Sequence, residues 1–285
     1  MSERRACAVV AQSRSTHRYR ARRRPIPGLQ ERMIELAHVR PRFGYPRLHV
    51  LLRREGFLVN RKRVYRLYRL AGLKLRSRRR KHAARPTRGP LVTAVAPNDN
   101  WSMDFVSDRL ADGRAFRTLT MVDDFSKLCP ALEVDTSLPG LRVIRALERA
   151  IALYGKPRRI TVDNGSEFTC RVMDAWAYNA GIELHFIDPG KPVQNAFAES
   201  FNSRFRDECL NQHQFAGLTE ARTLIEDFRC DYNSVRPHSS LGGLSPEQFI
   251  LGLTGAMAPV KPDHATQPQH ALTLPEETLC PLRLP

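Results

Sequence analysis

Between residues 28 and 80, apolar side chains recur every three or four positions: Leu48, Leu51 and Leu52, then Val64, Leu67, Tyr68 and Leu70. That period predicts helices with one buried face, and it leaves arginines on the other faces. Phe43-Gly44-Tyr45-Pro46 reads as a turn that ends one helix and opens the next. Asn60 is placed to cap the helix that carries Arg61, Lys62, Arg63, Arg66 and Arg69. Nearer the start, Ala6, Val9 and Val10 sit at helical spacing before a break at Gln12-Ser13. This fits a helix-turn-helix fragment, and equally one amphipathic helix with a basic tail.

The pattern changes after residue 98. Trp101–Val106, Phe116–Val122 and Leu128–Val134 read as strands, with Ala111-Asp112-Gly113 as a hairpin turn. Val143–Tyr154 is an amphipathic helix, Arg159–Val162 a short apolar strand, Phe168–Ala180 a helix and Ile182–Ile187 another strand. Two helices follow, near 195–210 and 218–233. Three antiparallel strands, then helix, strand, helix, strand, helix, is the order of a ribonuclease H-like α/β fold. The expected architecture is a mixed five-stranded sheet with flanking helices, preceded by a basic all-α, helix-turn-helix-like domain. The expected bounds are 1–80 for the helical region, 81–98 for a basic Pro- and Gly-containing linker and 99–253 for the α/β core. Residues 254–285, rich in Pro, His, Thr and Gln without periodicity, are expected to be disordered.

Charge distinguishes the two regions further. The 285 residues carry a formal net charge of +17. Residues 1–90 hold 27 Lys or Arg against four acids, whereas the rest of the chain is mildly acidic, 19 against 25. A basic arm on an acidic body suits a polyanion-binding enzyme, since each cation that neutralises a phosphate releases counterions. No run of eighteen apolar residues and no secretory signal occurs, so a cytoplasmic, nucleoid-associated protein is expected. The six cysteines are scattered without a C-x-x-C pair, which predicts reduced, mostly buried thiols rather than disulfides or zinc ligands.

Most acids need no functional account: Glu148, Asp174, Glu220 and Glu226 fall on helix faces where solvation is the ordinary outcome. Three differ. Asp104 interrupts an aromatic strand, where an ionised side chain is costly unless compensated. Asp163 follows the apolar strand Ile160–Val162, at the carboxyl end where α/β sheets place ligand-binding groups. Glu199 lies on a polar stripe with Asn195, Asn202 and Arg206, beside an apolar stripe of Phe197, Phe201 and Phe205. If these acids converge, two charges ~4 Å apart repel by ~4 kcal/mol at an effective dielectric of ~20. They must then take up protons or bind a cation, and hard oxygen ligands favour Mg²⁺ or Mn²⁺, with two ions ~3.5–4 Å apart suited to in-line phosphoryl displacement. On spacing alone, three unrelated acids remain an equal alternative.

The surrounding residues narrow the choice. Thirty-five residues separate Asp163 from Glu199. W-S-M-D-F at 101–105, V-D-D-F-S at 122–126 and T-V-D-N-G-S-E-F at 161–168 precede G-K-P-V-Q-N-A-F-A-E-S-F-N at 190–202. R-D-E-C-L-N at 206–211 and Y-N-S-V-R-P-H-S-S-L-G-G-L-S-P at 232–246 complete the series. Over roughly residues 2–250 the chain closely resembles the second-reading-frame, integrase-type protein of the insertion-sequence-three transposases. The resemblance implies a DDE triad of Asp104, Asp163 and Glu199 binding Mg²⁺ or Mn²⁺. It further implies 3′-end cleavage and strand transfer of an insertion sequence, through a circularised intermediate. It makes Arg61, Lys62, Arg63 and Arg66 candidate DNA contacts, together with Lys191, Asn195, Arg204 and Arg206 beside Glu199. An ion pair on its own helix is an equal alternative for Arg206. Asp123 and Asp124, just past a strand, are expected to be structural. The implied partners are the element's terminal repeats and target DNA, further copies of the chain and the upstream-frame protein of the same element. Ser203 stands where relatives commonly carry Gly, a change of little consequence on a helix. Two other readings are a catalytically silent DNA-binding repressor of the element and a nuclease on the same fold that stops at hydrolysis.

Overall fold

The computed structural model describes residues 2–19, 26–75, 94–188, 192–253 and 255. Lys191, linker residues 81–93 and the tail apart from Gly255 fall outside these. Backbone contacts divide the chain into two compact units, Met1–Leu75 and Arg76–Pro285.

The first unit is all helical. Helices α1 (Glu3–Val9) and α2 (Arg14–Arg18) each begin at a serine whose hydroxyl accepts a backbone N–H, Ser2 from Arg5 and Ser13 from Thr16. Helices α3 (Leu29–Val39), α4 (Tyr45–Arg54) and α5 (Arg61–Leu70) then pack on Leu29, Met33, Leu48, Leu52 and Val64, all essentially inaccessible. Pro46 lies in the first turn of α4, where its missing N–H costs nothing. The Asn60 side chain accepts the Lys62 amide at 2.9 Å and starts α5 at the expected residue.

The second unit is built on one five-stranded sheet, in the order β3 (Leu132–Asp135), β2 (Ala115–Asp123), β1 (Asn100–Arg109), β4 (Arg159–Val162), β5 (Glu183–Phe186). The first three are mutually antiparallel, and β4 and β5 run parallel to β1. Helices α6 (Gly140–Tyr154) and α7 (Arg171–Ala180) cover one face over Trp101, Met103, Leu119 and Ile160. Helices α8 (Ala196–Glu208) and α9 (Leu218–Ser234) bring Phe201, Phe205, Ile225 and Tyr232 against Val106, Phe116 and Val122 on the other. Strand alternation therefore points Met103 into the first core and Asp104 toward α8. Helix α10 (Pro246–Leu253) follows, and its Phe249 ring lies 5.7 Å from that of Phe125.

β1 runs on to Arg109 and α6 starts at Gly140, three residues beyond the sequence reading in each case, and two other elements start late. β3 begins at Leu132 rather than Leu128, because Pro130 has no N–H to offer a ladder and Asn233 takes the peptide groups of Cys129. Its amide accepts Cys129 N and donates to Cys129 O, both at 2.9 Å. Likewise α7 begins at Arg171 rather than Phe168, since residues 165–169 form a separate turn in which Phe168 N and Thr169 N donate to Gly165 O.

Candidate active site

Asp104 sits in mid-strand on the face that α8 covers, and Thr120 is its cross-strand partner. Its carboxylate accepts Phe105 N at 2.7 Å and the Asn202 amide at 2.8 Å. Burial holds its carboxyl above the usual range, reinforced by the charges of Asp163 and Glu199 and opposed by those two donors. Asp163 and Glu199 thus each lie close enough for their charge to act on Asp104. Asp163 directly follows β4, the neighbour of β1, and one of its oxygens accepts Gly165 N at 3.1 Å. A Cβ at Gly165 would come within 3.0 Å of that oxygen, so a glycine lets the turn fold tightly around the carboxylate. Glu199 lies exposed in the first turn of α8. Among the described residues no three acidic, histidine or cysteine side chains are already gathered as a metal site.

What registers α8 against β1 is its polar stripe. Asn195 donates to Met103 O at 3.1 Å, Asn202 to Asp104 and Arg206 to Ser107 O at 3.0 Å. These three contacts flank Glu199 along the helix. The carbonyl oxygens of Asn195 and Asn202 are buried without hydrogen-bond partners. Asn195, read from the sequence as a candidate DNA contact, is only 3% exposed and serves here as a tie between helix and strand. Arg204 turns back to its own helix, donating to Ser200 O at 3.0 Å and Ser200 Oγ at 2.8 Å. Arg206 makes its contact with a strand carbonyl rather than with an acid of its own helix. Arg61, Lys62 and Arg66 are exposed on α5, while Arg63 is half-buried.

A second buried carboxylate lies nearby. Asp124 accepts Ser102 Oγ at 2.7 Å and Asn100 Nδ2 at 2.6 Å, and burial pushes it up to about 6. Asp123 caps the turn that follows β2, accepting Asn98 N, Phe125 N and Ser126 N. Both acids accept from several protein donors, in keeping with a structural role. The Lys127 ammonium stands 3.9 Å above the Phe197 ring and donates to Asp124 O.

Sequence reasoning missed several supports. Arg117 pairs with Glu167, and its guanidinium lies 4.2 Å over the Phe105 ring, joining the turn after Asp163 to the strand of Asp104. Arg236, 2% exposed, makes a bidentate pair with Glu208 at the end of α8, both bonds 2.6 Å. Glu226, expected to be solvated, instead binds Arg229 at 2.6 Å, because Arg229 is itself buried and needs a partner. The R-P-H string at 236–238 was a usable signal for buried polar contacts. The partners, 28 residues away in the case of Glu208, were not.

Residues 94–192 and 180–246 match two families described as integrase core domain, and residues 28–81 match an HTH-like domain. A 31.7 kDa protein of insertion element IS407 from Burkholderia multivorans is 50% identical over 250 residues, covering 87% of this chain and 90% of its own. Transposase InsF of insertion sequence IS3A from Escherichia coli is 28% identical over 221 residues, covering 73% and 76%. The fold resembles a chain of the simian T-cell lymphotropic virus intasome, solved with the PP2A regulatory subunit B56 gamma. That likeness has a TM-score of 0.52 at 14% identity, over 85% of this chain and 80% of that one. With an integrase core, an HTH-like domain and 50% identity over 250 residues to an insertion-element protein, the chain belongs to the insertion-sequence-three family of transposases and acts in DNA transposition.

Proposed function

We propose that the chain cleaves the 3′ ends of its insertion sequence and joins them to a second phosphodiester, using Asp104, Asp163 and Glu199 as the acidic triad. The observation that supports this most is the seam between α8 and β1. The Asn195 and Asn202 amides, on either side of Glu199, hold the helix bearing the third acid in register with the strand bearing the first. β4, paired in parallel with β1, is directly followed by the second acid.

The donors fit Mg²⁺ or Mn²⁺. They are hard carboxylate oxygens, and one of them is destabilised as an anion by burial and two like-charged neighbours. The buried, unpartnered oxygen of Asn202 belongs to the side chain that grips Asp104. Two bound ions would let the three acids ionise together and would polarise the attacking and leaving oxygens of an in-line displacement. The chain's own part is positioning. Asn202 and Phe105 N orient Asp104, Gly165 N orients Asp163, and the Arg117–Glu167 pair steadies the turn between β4 and α7. Glu199, exposed at the start of α8, completes the set. No Ser or Tyr nucleophile is required, so no protein–DNA covalent intermediate forms.

Lys191, Arg204 and Arg206 are assigned to nearby phosphates, and Arg61, Lys62, Arg63 and Arg66 to DNA bound by the helical region of residues 1–80. Asn195 is reassigned to positioning. Two element ends must meet, which calls for at least a dimer, with the upstream-frame protein as a further partner. Residues 99–253 are assigned as the catalytic domain, after a linker at 81–98 and before a tail from 254.

The test is a strand-transfer assay with labelled element ends and Mg²⁺. Asp163→Asn should retain DNA binding and lose both cleavage and joining, by about a thousandfold or more. Normal joining by that variant would sink the triad assignment. Binding without cleavage by the parent chain would point to a repressor, and cleavage without joining to a nuclease.

A further inference from the structure

Helix α5 carries Lys62, Tyr65, Arg66 and Arg69 at offsets of three, four and seven, so the four share one face. All four are exposed, with Tyr65 at 40%. The face bears cations and no acid. Three of the unit's four acids pair elsewhere: Glu3 with Arg18, and both Glu35 and Glu55 with Arg32, while Glu31 lies in the first turn of α3. Among the described residues, Lys62, Arg66 and Arg69 have no carboxylate partner, although a surface cation commonly finds one. Tyr65 is held rather than loose. Its ring packs at 4.8 Å against Tyr45 of α4, and the Arg69 guanidinium lies 5.9 Å over the ring and donates to the Tyr65 hydroxyl at 3.2 Å. Accepting that bond leaves the phenolic O–H available as a donor. Arg63 lies off this face and is half-buried.

An exposed aromatic held by two neighbours and ringed by unpaired cations suits a duplex polyanion presenting base edges in a groove. Cations alone would hold phosphates without reading sequence, whereas a fixed donor and an apolar ring can distinguish base pairs. We propose that α5 enters the major groove of DNA with Tyr65, braced by Tyr45 and Arg69, as the residue that reads a base pair. Lys62 and Arg66 bind the flanking phosphates. The inference rests on the assignment of the helical region to DNA binding, and adds which side chains confer sequence preference.

The test uses the full chain and a library of 20-base-pair duplexes with randomised cores, over a range of salt concentrations. The parent should select a preferred sequence. Tyr65→Phe keeps the ring but removes the donor, and should reduce discrimination at one base pair about tenfold. Its salt dependence should be unchanged. Arg66→Ala and Lys62→Ala should weaken binding to all duplexes alike and lower the log–log salt slope by ~0.9 each. An unchanged preference profile in both Tyr65→Phe and Tyr65→Ala overturns the proposal, and so does a parent that binds without preference. Uniform weakening by Tyr65→Phe with a reduced salt slope also overturns it. A parent that fails to bind duplex DNA, or prefers RNA of the same sequence, overturns instead the DNA-binding assignment on which it rests.

Discussion

The two units of this chain differ in whether they bury matched charge. In residues 1–75 the ion pairs lie at the surface. Arg32, with 44% of its side chain exposed, takes two carboxylates, and among the described residues Lys62, Arg66 and Arg69 of α5 have none. In the sheet-containing unit two arginines are drawn inside and matched, although others, such as Arg114 and Arg158, pair at the surface. Arg236 with Glu208 and Arg229 with Glu226 have arginine side chains only 2% and 6% exposed. A surface that binds a polyanion needs cations without partners, because each one left unpaired is available to displace a counterion from phosphate. A site for phosphoryl chemistry needs acids held close together in fixed places. The surrounding charges must then be neutralised locally, or burial would outweigh folding.

If that contrast is right, ion pairs should differ sharply in worth between the units. Arg236→Ala removes the bidentate partner of the largely buried Glu208 carboxylate and should destabilise the unit by about 3–5 kcal/mol. Urea unfolding followed by tryptophan fluorescence reports this unit alone, since both tryptophans, Trp101 and Trp176, lie in it. A loss below about 1 kcal/mol would mean that the pair is not desolvated as the structure has it. Asn202→Ala removes one of two donors on Asp104 without touching the acids. Activity or the Mg²⁺ requirement should change by about 10–100-fold while the fold persists. Mg²⁺ titration of strand transfer checks it, and parent-like behaviour would remove Asn202 from the positioning set.

Asp124 gives a pH-dependent test of the same idea. Its folded value, about 6, lies above its ordinary one, so the folded state holds the proton more tightly than the unfolded chain. Its contribution therefore favours folding at low pH and is lost as pH rises from about 4 through 6, on the order of 2 kcal/mol. Comparing urea midpoints of the parent and Asp124→Asn between pH 5 and 7 isolates the effect, since only the parent should show this slope. Smallest of all, Arg32→Ala breaks two exposed pairs and should cost less than about 1 kcal/mol, read by far-UV circular dichroism. A loss as large as that of Arg236→Ala would erase the distinction between the units.

Much of the fold was legible because it is written in period. The helices around Leu48–Leu52 and Val64–Leu70, the hairpin at Gly113 and the strand order all follow from which positions are apolar and where turns must occur. Boundaries slipped where a distant side chain replaced local pairing, as Asn233 did at Cys129. The candidate triad was legible too, from three acids in motifs set at a particular spacing.

The sequence by itself determined the alternation of elements, the separation of a basic helical region from an acidic body and the choice of candidate acids. Each of these is carried by local period or by composition. Only the tertiary structure decided what holds the acids in place. It shows that Asn202 grips Asp104 across 98 positions, that Asn195 is a tie rather than an open surface and that Arg236 anchors the far end of α8. Such contacts pair residues far apart in the chain, and their energy depends on burial. Spacing along a sequence records neither.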